Sequence, residues 1–369
     1  MNVDIDELLK YAAKYGASDL HLTVGNPPII RVNGRLKRIP GPSLTAEEVR
    51  TLIFSILSEE QRAKLEKKRE LDLSYSWGTA PPYIKLDYQT SDRVRARVNV
   101  FLEIVGIGAA FRIIPARIRS LDELPAPESV KELTRRHKGL VLVTGPTGCG
   151  KSTTLASMID FIDHQSCERI ITIEDPIEYI FQGKNCLISQ REIGVHSTSF
   201  ASALRACLRE DPDVILVGEM RDLETISLAL TAAETGHLIL STLHTNNVAE
   251  TVDRVIDVFP SEQHNYVRQI FANVIMGIIS QILAPRKDGR GRVAVMELLI
   301  ATPAIRNQIR EAKSYQIPSL VQTGSQYGMQ TMDQCLANLL RKGLISQQTA
   351  WEYATDKKMF KREEVETEY

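Results

Sequence analysis

"GLVLVTGPTGCGKSTT", residues 139–154, is an apolar run that gives way abruptly to glycines, a lysine and hydroxyls. A Val/Leu run bounded by glycine predicts a buried strand, and "KSTTLASMIDFID" (151–163) predicts the helix that follows it. Residues 145–153 fit G-x-x-x-x-G-K-[ST], and a strand before with a helix after is the context a phosphate-binding loop requires. Gly145, Gly148 and Gly150 let the backbone curl around Pro146, Thr147 and Cys149 so that N–H groups face phosphate oxygens. The following helix adds its positive end. Lys151 is placed to reach the β- and γ-phosphates and Ser152 to ligate Mg²⁺, with Thr153 next in the turn. The ligands expected here are a nucleoside triphosphate and Mg²⁺. Cys149 is read as a small residue that fits, where alkylation would block the loop.

Working outward, the same rhythm recurs. "RIITIED" (169–175), "PDVILVGE" (212–219) and "GHLILSTLH" (236–244) are short apolar runs, separated by helix-length segments such as "SFASALRACLRE" and "LETISLALTAAET". Apolar strands alternating with helices predict an α/β fold with a parallel sheet covered on both faces. Open sheets of this kind bind ligands at the carboxyl ends of their strands. Glu219 ends one such strand and can hold Mg²⁺ through water or orient the attacking water. Glu174, Asp175 and Glu178 end another, with Pro176 forcing an extended turn. Either Glu178 or Glu219 can serve as the base. His237 and His244 lie seven apart, so along one strand they face opposite ways and do not share a metal. His244, past the carboxyl end, is placed to sense a γ-phosphate; His237, at the other end, suits a structural or a functional role.

Ahead of this core, residues 1–114 mix helix and strand patterns. Ile5, Leu8, Leu9 and Ala12 share a helical face. "PPIIRVNGRLKRI" carries a turn at Asn33-Gly34, and Thr45 with Glu48 forms a capping-box pattern. "RVRARVNVFLE" (93–103) alternates Arg93, Arg95 and Arg97 with apolar residues, which in a strand puts the three cations on one face. With Arg112, and with Arg205, Arg209 and Arg221 in the core, they are candidates to offset phosphate charge. Three prolines mark a linker over 115–130; the core is expected over 131–300 and a helical region with a charged tail over 301–369. "IFANVIMGIISQIL" (270–283) is read as a buried core helix, too short for the ~20 residues of a membrane span.

The 369 residues carry 45 Lys+Arg against 46 Asp+Glu, a net charge of −1. That balance, with no helix-turn-helix or aromatic–basic strip, argues against a nucleic-acid partner. The start carries acids and no basic n-region, which is unlike a signal peptide. Five scattered cysteines without a C-x-x-C pair suit reduced thiols and a cytoplasmic protein.

Together these segments resemble the secretion ATPase superfamily, and within it the type IV pilus retraction ATPases. The resemblance runs through "GASDLHL", "PPIIRVNG", the loop at 145–153, "TIEDPIEY" as an Asp box, "LREDPDVILVGEMRDLET" as a Walker B region, "AETGHLILSTLHTN" as a His box, "AIRNQIRE" and "GMQTMDQCL". It implies a RecA-like P-loop ATPase core, a smaller α+β (PAS-like) N-terminal domain, a helical C-terminal region and a homohexameric ring. Nucleotide would lie between subunits, reached by Arg95, Arg97 and Arg112. By motif position Glu178 resembles the general base and Glu219 the Walker B glutamate. The ring would act at the cytoplasmic face of the inner membrane on the pilus platform protein, with a second retraction ATPase as a further partner. Related extension ATPases usually carry a four-cysteine zinc motif that is missing here, which favours retraction. Gln308 stands where the family has leucine, on the flank of a helix whose Ile305 and Ile309 share a face. The stretch 76–94 is long for its place. A RecA-like nucleic-acid translocase and an accessory retraction paralogue are the competing readings.

Overall fold

The computed structural model describes residues 4–32, 34–77, 94–114 and 117–360. The chain divides into two compact units, Met1–Arg117 with Pro176–Ile180, and Ile118–Asp175 with Phe181–Tyr369.

Among the described residues the first unit has six strands: β1 (Asp19–Leu22), β2 (Ile29–Val32), β3 (Arg35–Arg38), β4 (Glu70–Trp77), β5 (Val94–Glu103) and β6 (Gly106–Ile114). They form an antiparallel sheet in the order β3-β2-β1-β6-β5-β4. The helix Ile5–Lys14 turns Ile5, Leu8, Leu9 and Ala12 into the core, as its spacing predicts. The helix Ala46–Ser55 opens with the full capping box: Glu48 N–H donates to Thr45 Oγ1, and Thr45 N–H donates to Glu48 Oε2. In β5, Ala96, Val98 and Val100 are sealed against Phe111 and Leu20 while Arg97 on the other face is exposed. Each large apolar side chain buried this way contributes about 1.5–3 kcal/mol. Gly34 takes the left-handed conformation (φ 80°) that the β2–β3 turn needs. Asn33, Arg93 and most of the 76–94 stretch lie outside the described residues.

The second unit carries seven strands: β7 (Gly139–Thr144), β8 (Arg169–Glu174), β9 (Leu187–Glu192), β10 (Val214–Val217), β11 (Leu238–Leu243), β12 (Ile275–Pro285) and β13 (Arg292–Ile300). Their order is β13-β12-β7-β11-β10-β8-β9, parallel throughout except that β13 runs antiparallel to β12. Alternate residues of β7 feed two cores: Leu140 and Leu142 join one, Val141 and Val143 the other. That two-faced burial is why β7, β10 and β11 are apolar without alternation. Leu121 and Val130, in the proline-rich stretch, pack into the second of these cores, and a helix starts there at Glu128.

One expectation is overturned. The run 270–283 is not a single helix: the helix His264–Val274 ends at Val274 and the chain continues as β12, paired in parallel with β7. Isoleucines at 275, 278, 279 and 282 suit a strand. A Cβ at Gly277 would lie 2.6 Å from the Leu133 side chain and 3.1 Å from the Leu299 carbonyl oxygen, so any larger residue here would require Leu133 to shift. Arg306 Nη1 donates to the carbonyls of Ala272 and Asn273, in the last turn of the helix, where carbonyls lack intrahelical donors.

Beyond Ile300 the regular elements are helical, and Ile305 and Ile309 share the buried face of Pro303–Arg310. Gln308 is half-buried beside them, its Oε1 without a hydrogen-bond partner among the described residues. Of the charged tail, Lys357–Met359 form a 3₁₀ turn and Phe360 is buried; 361–369 lie outside the described residues. Among the described residues no helix is long and apolar enough to cross a membrane.

Candidate nucleotide site

Parallel registration brings the core motifs to one edge. Thr144 pairs with Leu243, and Val217 pairs with both Ser241 and Ile173. The segments that leave β7, β11, β10 and β8 at Gly145, His244, Gly218 and Asp175 therefore all emerge from the carboxyl side of the sheet.

The loop 145–150 bends through three glycines in the positive-φ region, Gly145 (139°), Gly148 (78°) and Gly150 (91°). At Gly145 the reason is steric as well: an added Cβ would lie 2.2 Å from the Gln281 carbonyl oxygen and 2.7 Å from Cys149 Sγ. The helix Lys151–Gln165 starts directly after Gly150, so its first N–H groups open toward the loop. Lys151 is buried, and its Nζ donates to the carbonyls of Gly145 (2.8 Å) and Pro146 (3.1 Å). The ammonium is thus held against the first two carbonyls of the loop. Pro146 and Thr147 are exposed at the loop's crest, while Ser152 and Thr153 are half-buried in the first helical turn. Cys149 is 3% exposed, and burial pushes its thiol above the usual range.

Glu219 joins the tips of β10 and β11. Its Oε1 accepts from Arg221 Nε (2.5 Å) and lies 3.1 Å from His244 Nε2. Burial lowers the pKa of His244 below 6.5, and the nearby cations Lys151 and Arg221 add to this against the pull of Glu219. The imidazole is therefore neutral at pH 7, able to donate one hydrogen bond while accepting another. His237 is otherwise engaged: Nδ1 contacts the Ala232 carbonyl oxygen (2.9 Å), and its own carbonyl accepts from Gly139 N–H. Those bonds tie the start of β11 to the preceding helix Leu223–Glu234 and to β7, and give His237 a structural place. At the β8 tip, Thr172 Oγ1 donates to Glu174 Oε1 (2.7 Å), and Asp175 is exposed near enough to Arg221 to help raise that guanidinium's pKa, after the larger effect of Glu219.

Lys151, Glu219, Arg221 and His244 thus come together within the second unit. Glu178, Arg95, Arg97 and Arg112 fall in the first unit, and Arg205 and Arg209 in the second. Glu178 is exposed between buried Ile177 and Tyr179, in the segment Pro176–Ile180 that clusters with the first unit. In that unit's sheet Arg97 pairs with Arg112 in register, and Arg112 Nε lies 3.2 Å from Asp19 Oδ1, with Arg31 also on Asp19 at 3.8 Å. Arg95 is half-buried on the same face of β5. In the second unit Arg205 is paired with Glu224, and Arg209 is exposed.

Arg221 is one of several candidate cations in the sequence, and only the fold puts it on Glu219. One participant, Gln281, escapes a reading of the sequence. Gln281 interrupts an apolar run. It lies on β12, 1% exposed, and its Nε2 donates to the Cys149 carbonyl (2.7 Å) while its Oε1 accepts from Thr154 Oγ1 (2.8 Å). A lone amide inside a buried apolar run is the available signal, since buried amides need partners.

The model of the family described as "Type II/IV secretion system protein" matches residues 1–350. The chain is 50% identical over 352 residues to the type IV pilus retraction ATPase PilT of Pseudomonas aeruginosa, covering 95% of this chain and 98% of that protein. It is 50% identical over 323 residues to a twitching motility protein of Neisseria gonorrhoeae, covering 88% of this chain and 83% of that one. Among solved structures, the pilus retraction motor PilT with bound ADP superposes with a TM-score of 0.85 at 47% identity, covering 97% of this chain and 99% of the other. The Legionella pneumophila ATPase DotB superposes with a TM-score of 0.78 at 32% identity, covering 94% of each chain. The chain belongs to the type II/IV secretion system protein family. It is a nucleotide-binding ATPase of that family, with a RecA-like core.

Proposed function

We propose that this chain is a hexameric motor that hydrolyses Mg²⁺-ATP to power type IV pilus retraction. The observation that carries the reading is the convergence of Lys151, Glu219 and His244 on one sheet edge beside the glycine loop. Relatives named for pilus retraction and twitching motility support the biological role.

In this reading the backbone N–H groups of 148–153 and Lys151 bind the phosphates. Ser152 and Glu219 offer hard oxygen donors of the kind Mg²⁺ prefers, Glu219 through water, and the ion would neutralise charge on the transferring phosphoryl group. Glu178 or Glu219 orients and deprotonates the attacking water. His244 hydrogen-bonds the γ-phosphate while neutral and reports its loss through Glu219. Arg95, Arg97 and Arg112 meet the nucleotide of a neighbouring subunit. The ring works at the cytoplasmic face of the inner membrane, on the pilus platform protein, with a second retraction ATPase as a further partner.

The reading is tested by ATP turnover of the purified protein at concentrations spanning ring assembly, with Glu178→Ala in parallel. Activity per subunit that rises cooperatively, with Glu178→Ala binding ATP but not hydrolysing it, is the expected result. Activity per subunit that is flat with concentration would overturn the shared site and the arginine roles together.

A further inference from the structure

Gln281 is hydrogen-bonded to the phosphate loop and to the helix after it, and lies close against two of the loop's glycines. Its side chain donates to the Cys149 carbonyl at 2.7 Å and accepts from Thr154 Oγ1 at 2.8 Å. Its backbone oxygen is what forbids a Cβ at Gly145, and its Nε2 lies 3.3 Å from where a Cβ of Gly150 would be. The anchor itself is held in the sheet: β12 is paired with β7 up to Ser280–Thr144, one residue before Gln281 on one strand and Gly145 on the other. Both ends of the loop, the Gly145 turn and the start of the helix through Thr154, therefore refer to this one residue.

The consequence follows from the geometry of the peptide unit. In a planar trans peptide the C=O and the next N–H point in opposite directions. With the Cys149 carbonyl held toward Gln281 Nε2, the Gly150 N–H is turned the other way, into the loop. We infer that Gln281 is a positioning residue for the phosphate site, holding the Cys149–Gly150 peptide so that the Gly150 N–H faces the bound nucleotide's phosphates. Gly150 sits at φ 91°, a conformation open to glycine, so its own backbone offers little resistance to a flip of this peptide once the amide is removed. The bond from Thr154 to Oε1 acts on the amide itself. It occupies the amide oxygen, while the Cys149 carbonyl, which can only accept, selects the Nε2 by itself.

This inference rests on residues 145–153 being the phosphate site. That premise is checked separately by loss of ADP binding in Lys151→Ala. The experiment compares ADP affinity, by titration of the purified full chain well below its melting temperature, in wild type, Gln281→Met and Thr154→Val. Gln281→Met keeps the volume and removes both bonds; Thr154→Val leaves the Cys149 carbonyl held. The expected result is ADP binding weakened about tenfold in Gln281→Met and within about twofold of wild type in Thr154→Val, the tenfold loss being the scale of one hydrogen bond to a charged group. If Gln281→Met is not recovered folded, Gln281→Asn, one methylene too short to span both partners, takes its place with the same expectation. Wild-type affinity in a folded residue-281 variant overturns the inference. So does equal weakening in Thr154→Val, or failure of both residue-281 variants to fold, since the amide would then serve helix packing or stability rather than the loop peptide.

Discussion

Glu219 Oε1 lies 3.1 Å from His244 Nε2 and 2.5 Å from Arg221 Nε, so one carboxylate oxygen joins the tips of two neighbouring strands. Neither partner is assigned to it by the order of residues along the chain. In the function proposed above, Glu219 is the junction through which a change at a phosphate reaches both β10 and β11.

Replacing Glu219 with Gln keeps the size and removes the charge. ATP turnover is expected to fall roughly 100-fold, the scale of a lost acid–base or water-orienting group, while ADP still binds. Steady-state hydrolysis alongside ADP titration reads this; turnover close to that of wild type would remove Glu219 from the chemistry.

Lys151→Ala is expected to weaken ADP and ATP binding by about 10- to 100-fold, as for a lost hydrogen bond between charged groups. Without the ammonium, the Gly145 and Pro146 carbonyls lose their donor as well, so a modest fall in melting temperature should accompany it. Equilibrium titration with a fluorescent ADP analogue measures the first effect and a thermal melt the second.

The pKa of His244 is lowered by burial from 6.5, so the unfolded chain takes up this proton before the folded one. Its contribution to stability is present above pH 6.5 and is lost as pH falls through the folded value. Wild type should therefore lose more stability than His244→Asn does on acidification below pH 6.5, with the two running parallel above it. Melting temperatures at closely spaced pH values on either side of that point decide it; parallel curves throughout would contradict the shift.

Glu297 shows the opposite sign. This carboxyl is 9% exposed on β13, and burial raises its pKa from 4.5, with Asp333 adding to the rise and the Val248 N–H, a 3.0 Å donor, opposing it. Its contribution is complete below pH 4.5 and is lost as pH rises through the folded value. Glu297→Gln keeps an acceptor for Val248, so its stability relative to wild type should rise between pH 4.5 and neutrality. Urea midpoints at the two ends of that interval test this.

Arg97 faces Arg112 directly across β5 and β6, and like charges opposite one another are destabilising. Arg97→Ala should leave stability within about 0.5 kcal/mol of wild type or slightly raise it. If Arg97 reaches a neighbour's nucleotide, turnover falls by roughly tenfold or more all the same, the scale of one lost hydrogen bond to a charged group. A stable variant with unchanged turnover would leave Arg97 a surface charge.

Much of this protein is legible from order and spacing. The loop 145–153 declares itself because glycines permit its φ values, and the apolar runs 169–175, 212–219 and 236–244 declare a parallel sheet because both their faces must be dry. The capping box at Thr45 and the buried face of the first helix are equally local, set within a turn or two of chain. The run 270–283 misleads for the converse reason: a short apolar stretch fits a buried helix or a buried strand, and what chooses the strand is its pairing with β7 on one side and β13 on the other. The pairing of Glu219 with Arg221 and His244, and the hold of Gln281 on the Cys149 carbonyl 132 residues away, are decided by the tertiary structure alone. Sequence sets which groups must find partners; only packing, by bringing distant strand ends to one edge, sets which partners they find.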